Sequence, residues 1–204
     1  MGTTTRYELD ELMAIDPLIQ IENWLENAKK TSLANPNAFT LSTIDRDGIP
    51  RARVVLMKAV HPEGVVFFTN YESQKGRDLA HEPRCSALFF WDSLARQIHI
   101  VGQAEKTSRQ ESEAYWSTRP RASQLSQWMS KQSEPVASRD QLEKEFRVAD
   151  ERFHNQPVPC PPHWGGYLIR PTYVEFWVGR EGRLHDRLTY RKVENGWRET
   201  RLYP

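Results

Sequence analysis

The feature that most constrains this chain is the punctuation of its strand-like segments. Phe39 to Ile44 stops at Asp45-Arg46-Asp47-Gly48, and Arg51 to Lys58 is followed by His61-Pro62-Glu63-Gly64, which turns into Val65 to Thr69. Cys85 to Trp91 and Gln97 to Glu105 flank Asp92-Ser93. Gly166 to Ile169, Tyr173 to Val178, Leu188 to Lys192 and Trp197 to Leu202 complete the set, with Asn195-Gly196 between the last two. Short polar turns join antiparallel neighbours, whereas parallel neighbours need long crossovers. The helical stretches are inserted between groups of strands and do not alternate with them. The pattern therefore predicts a mainly β chain, an antiparallel barrel with helical additions, in preference to a doubly wound sheet.

The helices carry their own signals. Asp16-Pro17 reads as cap and first turn, followed by an apolar stripe of Leu18, Ile21, Trp24, Leu25 and Ala28. Ser73 caps a short helix that ends before Pro83. Ser108 and Glu111 have capping-box spacing for a helix that stops near Arg119-Pro120. A polar helix is expected over Ser123 to Ser130, and a third starts at Ser138, with Leu142, Phe146, Ala149 and Phe153 on one face. Pro157 to Pro162 reads as a stiff linker. Residues 1–15 lack periodicity and are expected to form a mobile arm, leaving 16–204 as one domain.

Composition excludes several classes. A formal net charge of +1, with basic and acidic residues interspersed, leaves no stripe for nucleic acid and no basic helix for a membrane surface. No leader-like segment follows Met1 and no apolar run approaches membrane length, so a cytoplasmic protein is expected. Cys85 and Cys160 stand far apart without a CxxC partner and read as reduced thiols.

Four groups of residues could carry chemistry. Ser73-Gln74-Lys75-Gly76-Arg77 begins a helix directly after a strand, where free backbone N–H groups and the helix dipole favour an anion. Lys75 adds a point charge, and Arg53 offers a bidentate fork to the same anion. Arg53 and Lys58 have opposite parity on their strand. If both serve one pocket, the strand must bend or bulge, or Lys58 must lie past its end. Tyr115, Arg119 and Ser123 are spaced by four. Because Pro120 interrupts them, they are expected to converge from a helix end and the next turn as a second phosphate cradle. Arg183, His185 and Arg187 form a compact cationic cluster after an aromatic strand, suited to a small anionic aromatic ligand. Gln97, Gln132 and Ser133 could read the edge of a heteroaromatic ring.

No GxGxxG follows a strand, and GxSxG and HExxH are absent. The histidines lie at no metal-ligand spacing, so no metal site is expected. Two anion sites, seven tryptophans and no protein nucleophile point to a bound cofactor that performs the chemistry.

These strings together resemble one family. They are Arg53-Val54-Val55-Leu56-Met57-Lys58, Phe68-Thr69-Asn70, Ser73 to Gly76, Arg96-Gln97, Ser117 to Arg121, Trp128 to Ser133, Trp164-Gly165-Gly166, Glu175-Phe176-Trp177 and Arg183 to Arg187. The chain resembles the pyridoxamine (pyridoxine) 5′-phosphate oxidases, FMN enzymes with a split β-barrel, from about Asp16 to Pro204. The resemblance implies a homodimer with FMN at the subunit interface. Arg53 and Lys75 would hold the FMN phosphate, with Val54, Val55, Lys58, Ser73 and Gln74 among the cofactor contacts. Phe68, Thr69 and Gln97 would lie along the flavin, and Gln132, Ser133, Trp177 and Arg187 would reach it from the other subunit. Lys58, Tyr115, Arg119 and Ser123 would cradle the substrate phosphate, while Arg183 and His185 would hold the pyridine ring. Hydride would pass to flavin N5, with O2 as acceptor and H2O2 as product. Two departures stand out: Gln74 replaces a usual Arg, and Arg6-Tyr7 are adjacent where the family's arm has an Arg-x-x-Tyr pair. A sister group of FMN oxidases in phenazine biosynthesis is similar in its Ser-Gln-Lys-Gly string and lacks the usual arm. A split-barrel flavin or haem binder without oxidase activity would have no need of Arg183 and His185.

Overall fold

The computed structural model describes residues 15–204; the expected arm, apart from Ile15, lies outside the described residues. Helix α1 (Pro17–Lys29) starts as the sequence suggests: the Asp16 carboxylate accepts from the backbone N–H of Leu18 at 2.8 Å. Its stripe of Leu18, Ile21, Trp24, Leu25 and Ala28 is buried. Trp24 meets Phe176 edge to face at 5.1 Å.

Strands β1 (Ala38–Ile44), β2 (Pro50–His61), β3 (Gly64–Asn70), β4 (Arg84–Trp91), β5 (Arg96–Lys106) and β6 (Trp164–Val178) form an antiparallel barrel in the order β3-β2-β1-β4-β5-β6, closed by β3 pairing with β6. Alternate residues point inward, so Phe39, Leu41, Phe67, Ala87, Phe89, Ile98 and Ile100 fill the core. Strands β7 (Asp186–Val193) and β8 (Gly196–Leu202) extend the sheet beyond the barrel from the second half of β6. Gly196 takes φ +102°, the left-handed conformation that its hairpin turn needs.

Two sequence expectations change. The segments Gly166 to Ile169 and Tyr173 to Val178 are one 15-residue strand, β6. Pro171 does not end it, because it faces Gly102 where the β5–β6 register shifts and the ladder is already interrupted. A Cβ on Gly102 would fall 2.1 Å from the carbonyl oxygen of Arg170, so only glycine admits this close crossing. The polar helix also starts earlier than Ser123.

Helix α2 (Gln74–His81) follows β3, and α3 (Arg109–Ser117), α4 (Arg121–Met129) and α5 (Arg139–Arg152) lie between β5 and β6. Ser108 and Glu111 form the expected capping box at α3. Trp116, Leu125, Ala149, Phe153, Val158 and Trp164 make a second apolar cluster that holds these helices on the barrel. Cys85 is buried and Cys160 partly so, and both are free thiols. No described helix is long and apolar enough to cross a membrane.

Candidate functional site

A cavity of about 470 Å³ opens between β2, β3, α2, the α3–α4 corner and the segment after α4. Arg53, Lys58, Lys75 and Arg119 line it, and no described carboxylate does. Such a wall suits anions.

The bulge anticipated from parity is present. The β2–β3 register shifts between Met57 and Ala59, so Lys58 leaves the regular alternation. Arg53 and Lys58 line the same cavity, as do Val54, Val55 and Leu56 between them, so both faces of this stretch of β2 reach it. Arg53 Nη1 donates to Thr43 Oγ1 at 2.7 Å and to the carbonyl of Leu41 at 3.1 Å. Burial pushes the Arg53 pKa down.

Helix α2 brings in Lys75. Ser73 is fully buried, and its hydroxyl accepts from the Gly76 N–H at 3.3 Å. A Cβ on Gly76 would fall 2.1 Å from the Tyr71 carbonyl oxygen, so glycine lets this first turn press against the end of β3. Lys75 Nζ donates to Ser73 Oγ at 3.2 Å and to Gln132 Oε1 at 2.8 Å. Burial, and then the neighbouring charge of Arg53, lower the Lys75 pKa to about 8, with Asp78 acting in the opposite direction.

An aromatic wall faces these charges. Phe68 stacks on Tyr115 at 4.1 Å and on Trp164 at 5.4 Å. Gly166 makes room for it: a Cβ there would come within 3.0 Å of Phe68 and 2.5 Å of Thr107 Oγ1. Lys58 Nζ stands 5.8 Å from the Tyr115 ring centre, and the Arg119 guanidinium 5.1 Å from that of Trp164. Arg119 follows the end of α3, and Pro120 caps α4, so Tyr115, Arg119 and Ser123 converge as the sequence suggested. Arg119 Nε is buried with no hydrogen-bond partner. Burial lowers the pKa of this guanidinium as well. A desolvated donor aimed at no acceptor is costly, which makes it a place where a ligand oxygen would be welcome.

Thr69, Val54, Val55 and Gln132 also line the cavity. Ser133 takes φ +75°, and its hydroxyl accepts the Gln74 N–H at 3.1 Å. Gln132 and Ser133 were expected to approach from a second subunit. Instead they sit beside Lys75 and Gln74 of their own chain, because the segment after α4 folds back over α2, held by Asn70 Nδ2 donating to the Ser130 carbonyl at 3.1 Å. The Gln74 side chain donates to Asp78 Oδ1 at 2.7 Å. Sequence reading gave no role to Leu56, Thr118, Pro120, Gln127 or Trp164, which complete the lining. Gln127 lies four residues beyond Ser123 on α4, a spacing that could have flagged it.

Of the expected residues outside the lining, Ser73, Gln74 and Ser133 stand beside it at the start of α2, and five others lie elsewhere. Gln97 pairs with Trp177, and Trp177 with Arg187, in one row across β5, β6 and β7. Arg187 forms a bidentate pair with the buried Glu175, at 2.7 and 3.0 Å. Trp177 packs 4.8 Å from His185, whose Nδ1 accepts from the Arg180 N–H at 3.1 Å. In the neutral ring this leaves Nε2 as the protonated nitrogen. Arg183 is exposed, at φ +60°. His185 and Arg187 line a separate cleft of about 410 Å³ with Arg201 and the C-terminal residues.

A closed antiparallel barrel with added strands and a cationic, aromatic-walled cavity on its flank defines a split barrel with a cavity suited to anions, and comparison with known proteins narrows the class. Residues 25–153 match the family model described as pyridoxamine 5′-phosphate oxidase, and residues 164–204 match the pyridoxine 5′-phosphate oxidase C-terminal dimerisation region. A pyridoxine/pyridoxamine 5′-phosphate oxidase of Rubrobacter xylanophilus is 49% identical over 189 residues, covering 93% of this chain and 87% of the relative. Another, of Burkholderia cenocepacia, is 47% identical over 204 residues, covering 98% and 95%. The crystal structure of PhzG from Burkholderia lata, in complex with tetrahydrophenazine-1-carboxylic acid, superposes with a TM-score of 0.92 at 29% identity, covering 100% of both chains. The chain belongs to the pyridoxamine 5′-phosphate oxidase family.

Proposed function

We propose that this protein is an FMN-dependent oxidase that converts pyridoxine or pyridoxamine 5′-phosphate to pyridoxal 5′-phosphate. The observation that carries the reading is the single cavity shared by Arg53 and Lys75 with Lys58, Tyr115, Arg119 and Ser123. It has cations for two phosphates and an aromatic wall of Phe68, Tyr115 and Trp164. Arg119 Nε has no hydrogen-bond partner, and burial and Arg53 depress the Lys75 ammonium more than Asp78 supports it, so both would gain from a phosphate.

Bound FMN would supply the hydride acceptor, with O2 as the final acceptor and H2O2 as product. Arg53, Lys75 and the start of α2 would bind its phosphate, and Phe68, Thr69 and Gln132 would border it. Lys58, Tyr115, Arg119 and Ser123 would bind the substrate phosphate. Arg183 and His185 would orient the substrate ring, and Gln97, Trp177 and Arg187 would complete the cofactor site. Since these five residues face away from the cavity, the reading includes a homodimer in which they come from the partner subunit. The match of residues 164–204 to a dimerisation region supports this.

A second reading is an FMN oxidase of reduced phenazine precursors, favoured by the likeness to PhzG. A phenazine carboxylate brings no phosphate, whereas the cradle of Lys58, Tyr115, Arg119 and Ser123 is intact. The test is a peroxide-linked assay of the FMN-loaded protein with pyridoxine 5′-phosphate beside a reduced phenazine carboxylate. Turnover of the phenazine alone would reject the first reading.

A further inference from the structure

Beneath the cavity, α2 carries a carboxylate outside the lining. Asp78 is 1% exposed. Its Oδ2 accepts from Thr43 Oγ1 at 2.7 Å and faces Arg53 Nη2 at 3.5 Å, and its Oδ1 accepts from Gln74 Nε2 at 2.7 Å. The same Thr43 oxygen accepts from Arg53 Nη1 at 2.7 Å. The hydroxyl thus relays between guanidinium and carboxylate, and Arg53 is gripped from below by β1 and α2.

We propose that Asp78, one turn along α2 from Lys75, is a positioning residue of the anion cradle, which fixes the Arg53 fork and offsets the charge of the two cations. The proposal rests on the reading that the FMN phosphate binds here. Arg53 keeps its proton under all ordinary conditions, so the cost of crowding two buried cations falls on Lys75. The groups facing Lys75 are Arg53 from β2, Asp78 from its own helix, the hydroxyl of Ser73 and the amide of Gln132, with Lys58 and Arg119 elsewhere on the cavity wall. Asp78 is the one carboxylate in that set. Gln74, which cannot carry charge, leaves Asp78 undivided between Arg53 and Lys75.

A pH profile separates this role from simple packing. Lys75 titrates at about 8 in the free chain, so FMN affinity should fall as pH rises through that value. The ligand phosphate itself titrates at about 6 and contributes little there. The apoprotein is titrated with FMN by flavin fluorescence, with riboflavin as the phosphate-free control. Asp78→Asn should move the midpoint down by on the order of one pH unit, weakening FMN binding about twofold at neutrality and toward tenfold above about pH 8, with riboflavin unaffected. Asp78→Glu, which restores the charge, should return the midpoint toward that of the wild type. Arg53→Met removes the repelling cation and should move the midpoint up while lowering affinity, so the charge balance is tested even if Asp78→Asn does not fold. A folded Asp78→Asn protein with an unchanged midpoint, or an Arg53→Met midpoint that stays or falls, would overturn the proposal. A wild type that binds riboflavin as tightly as FMN would instead overturn the phosphate reading on which the proposal rests.

Discussion

Replacing Arg119 by alanine should affect the free protein and the substrate complex very differently. In the free chain, Arg119 Nε is buried without a partner, and the guanidinium lies over the faces of Trp164 at 5.1 Å and Trp116 at 6.0 Å and beside the Tyr115 hydroxyl. An unmet buried donor costs about 1–3 kcal/mol. Contact with an aromatic face returns about 0.5–2 kcal/mol. The two nearly cancel, so Arg119→Ala should change apoprotein stability by no more than about 1 kcal/mol. In the substrate complex the same group would make charge-assisted bonds to phosphate, worth about 1.5–3 kcal/mol. That corresponds to a loss of roughly 10- to 150-fold in kcat/KM for pyridoxine 5′-phosphate. The measurements are urea unfolding of the apoprotein and initial rates of the FMN-loaded enzyme at equal flavin content. A variant that loses several kcal/mol of stability yet keeps its kcat/KM would refute the reasoning and make Arg119 a strut for the tryptophans.

Three further outcomes follow from the same geometry. Lys75→Ala should weaken FMN binding to the apoprotein by about 1.5–3 kcal/mol, read by fluorescence titration at neutral pH; unchanged affinity would place the phosphate elsewhere. Gly166→Ala should destabilise the fold by about 1–3 kcal/mol, because its methyl would meet Thr107 Oγ1 at 2.5 Å and the edge of Phe68 at 3.0 Å; denaturant unfolding that matches the wild type would show that the wall yields freely. Finally, Lys75→Ala and Arg187→Ala chains, each weak in FMN binding alone, should form mixed dimers with one intact site after co-refolding. Flavin retained only in the mixture supports a site shared between chains, and its absence from a verified mixed dimer counts against one.

Much of the fold was legible because its signals are local or strictly periodic. The capping box at Ser108 and the stripe from Leu18 to Ala28 depend on residues within a turn or two of one another. Parity left a bend, a bulge or a strand end open for Lys58 if it shares a pocket with Arg53; β2 runs on to His61, and its register shifts between Met57 and Ala59. The continuity of β6 was hidden because Pro171 looks like a strand end. It is tolerated only by virtue of Gly102, on another strand. Asp78 was hidden for a similar reason. On its helix it resembles one more charge on a solvated face, and its burial depends on Thr43, 35 residues earlier. Gln132 and Ser133 were recognised as polar contacts, but their side of the site depends on a loop's path over α2, which no local pattern encodes.

The residues that fell outside the cavity follow a geometric logic. Phe90 pairs with Gln97, Gln97 with Trp177, Trp177 with Arg187, and Arg187 with Leu202, a single row across β4 to β8. Inward positions on these strands, such as Phe89, Ile98 and Phe176, fill the barrel core, so this row is on the outer surface. There Phe90 is 56% exposed, an unusual state for a large aromatic side chain in the middle of a sheet face. Arg187 is nonetheless held by two hydrogen bonds to Glu175. An arginine fixed this firmly on an exposed apolar face has lost its rotamer freedom in advance of any ligand, which lowers the cost of engaging one. If the proposed dimer has its interface here, a second chain would cover Phe90 and set its own Arg53 and Lys75 beside this row. The same contact that buries the apolar surface would then complete the cofactor site, coupling FMN binding to dimer stability.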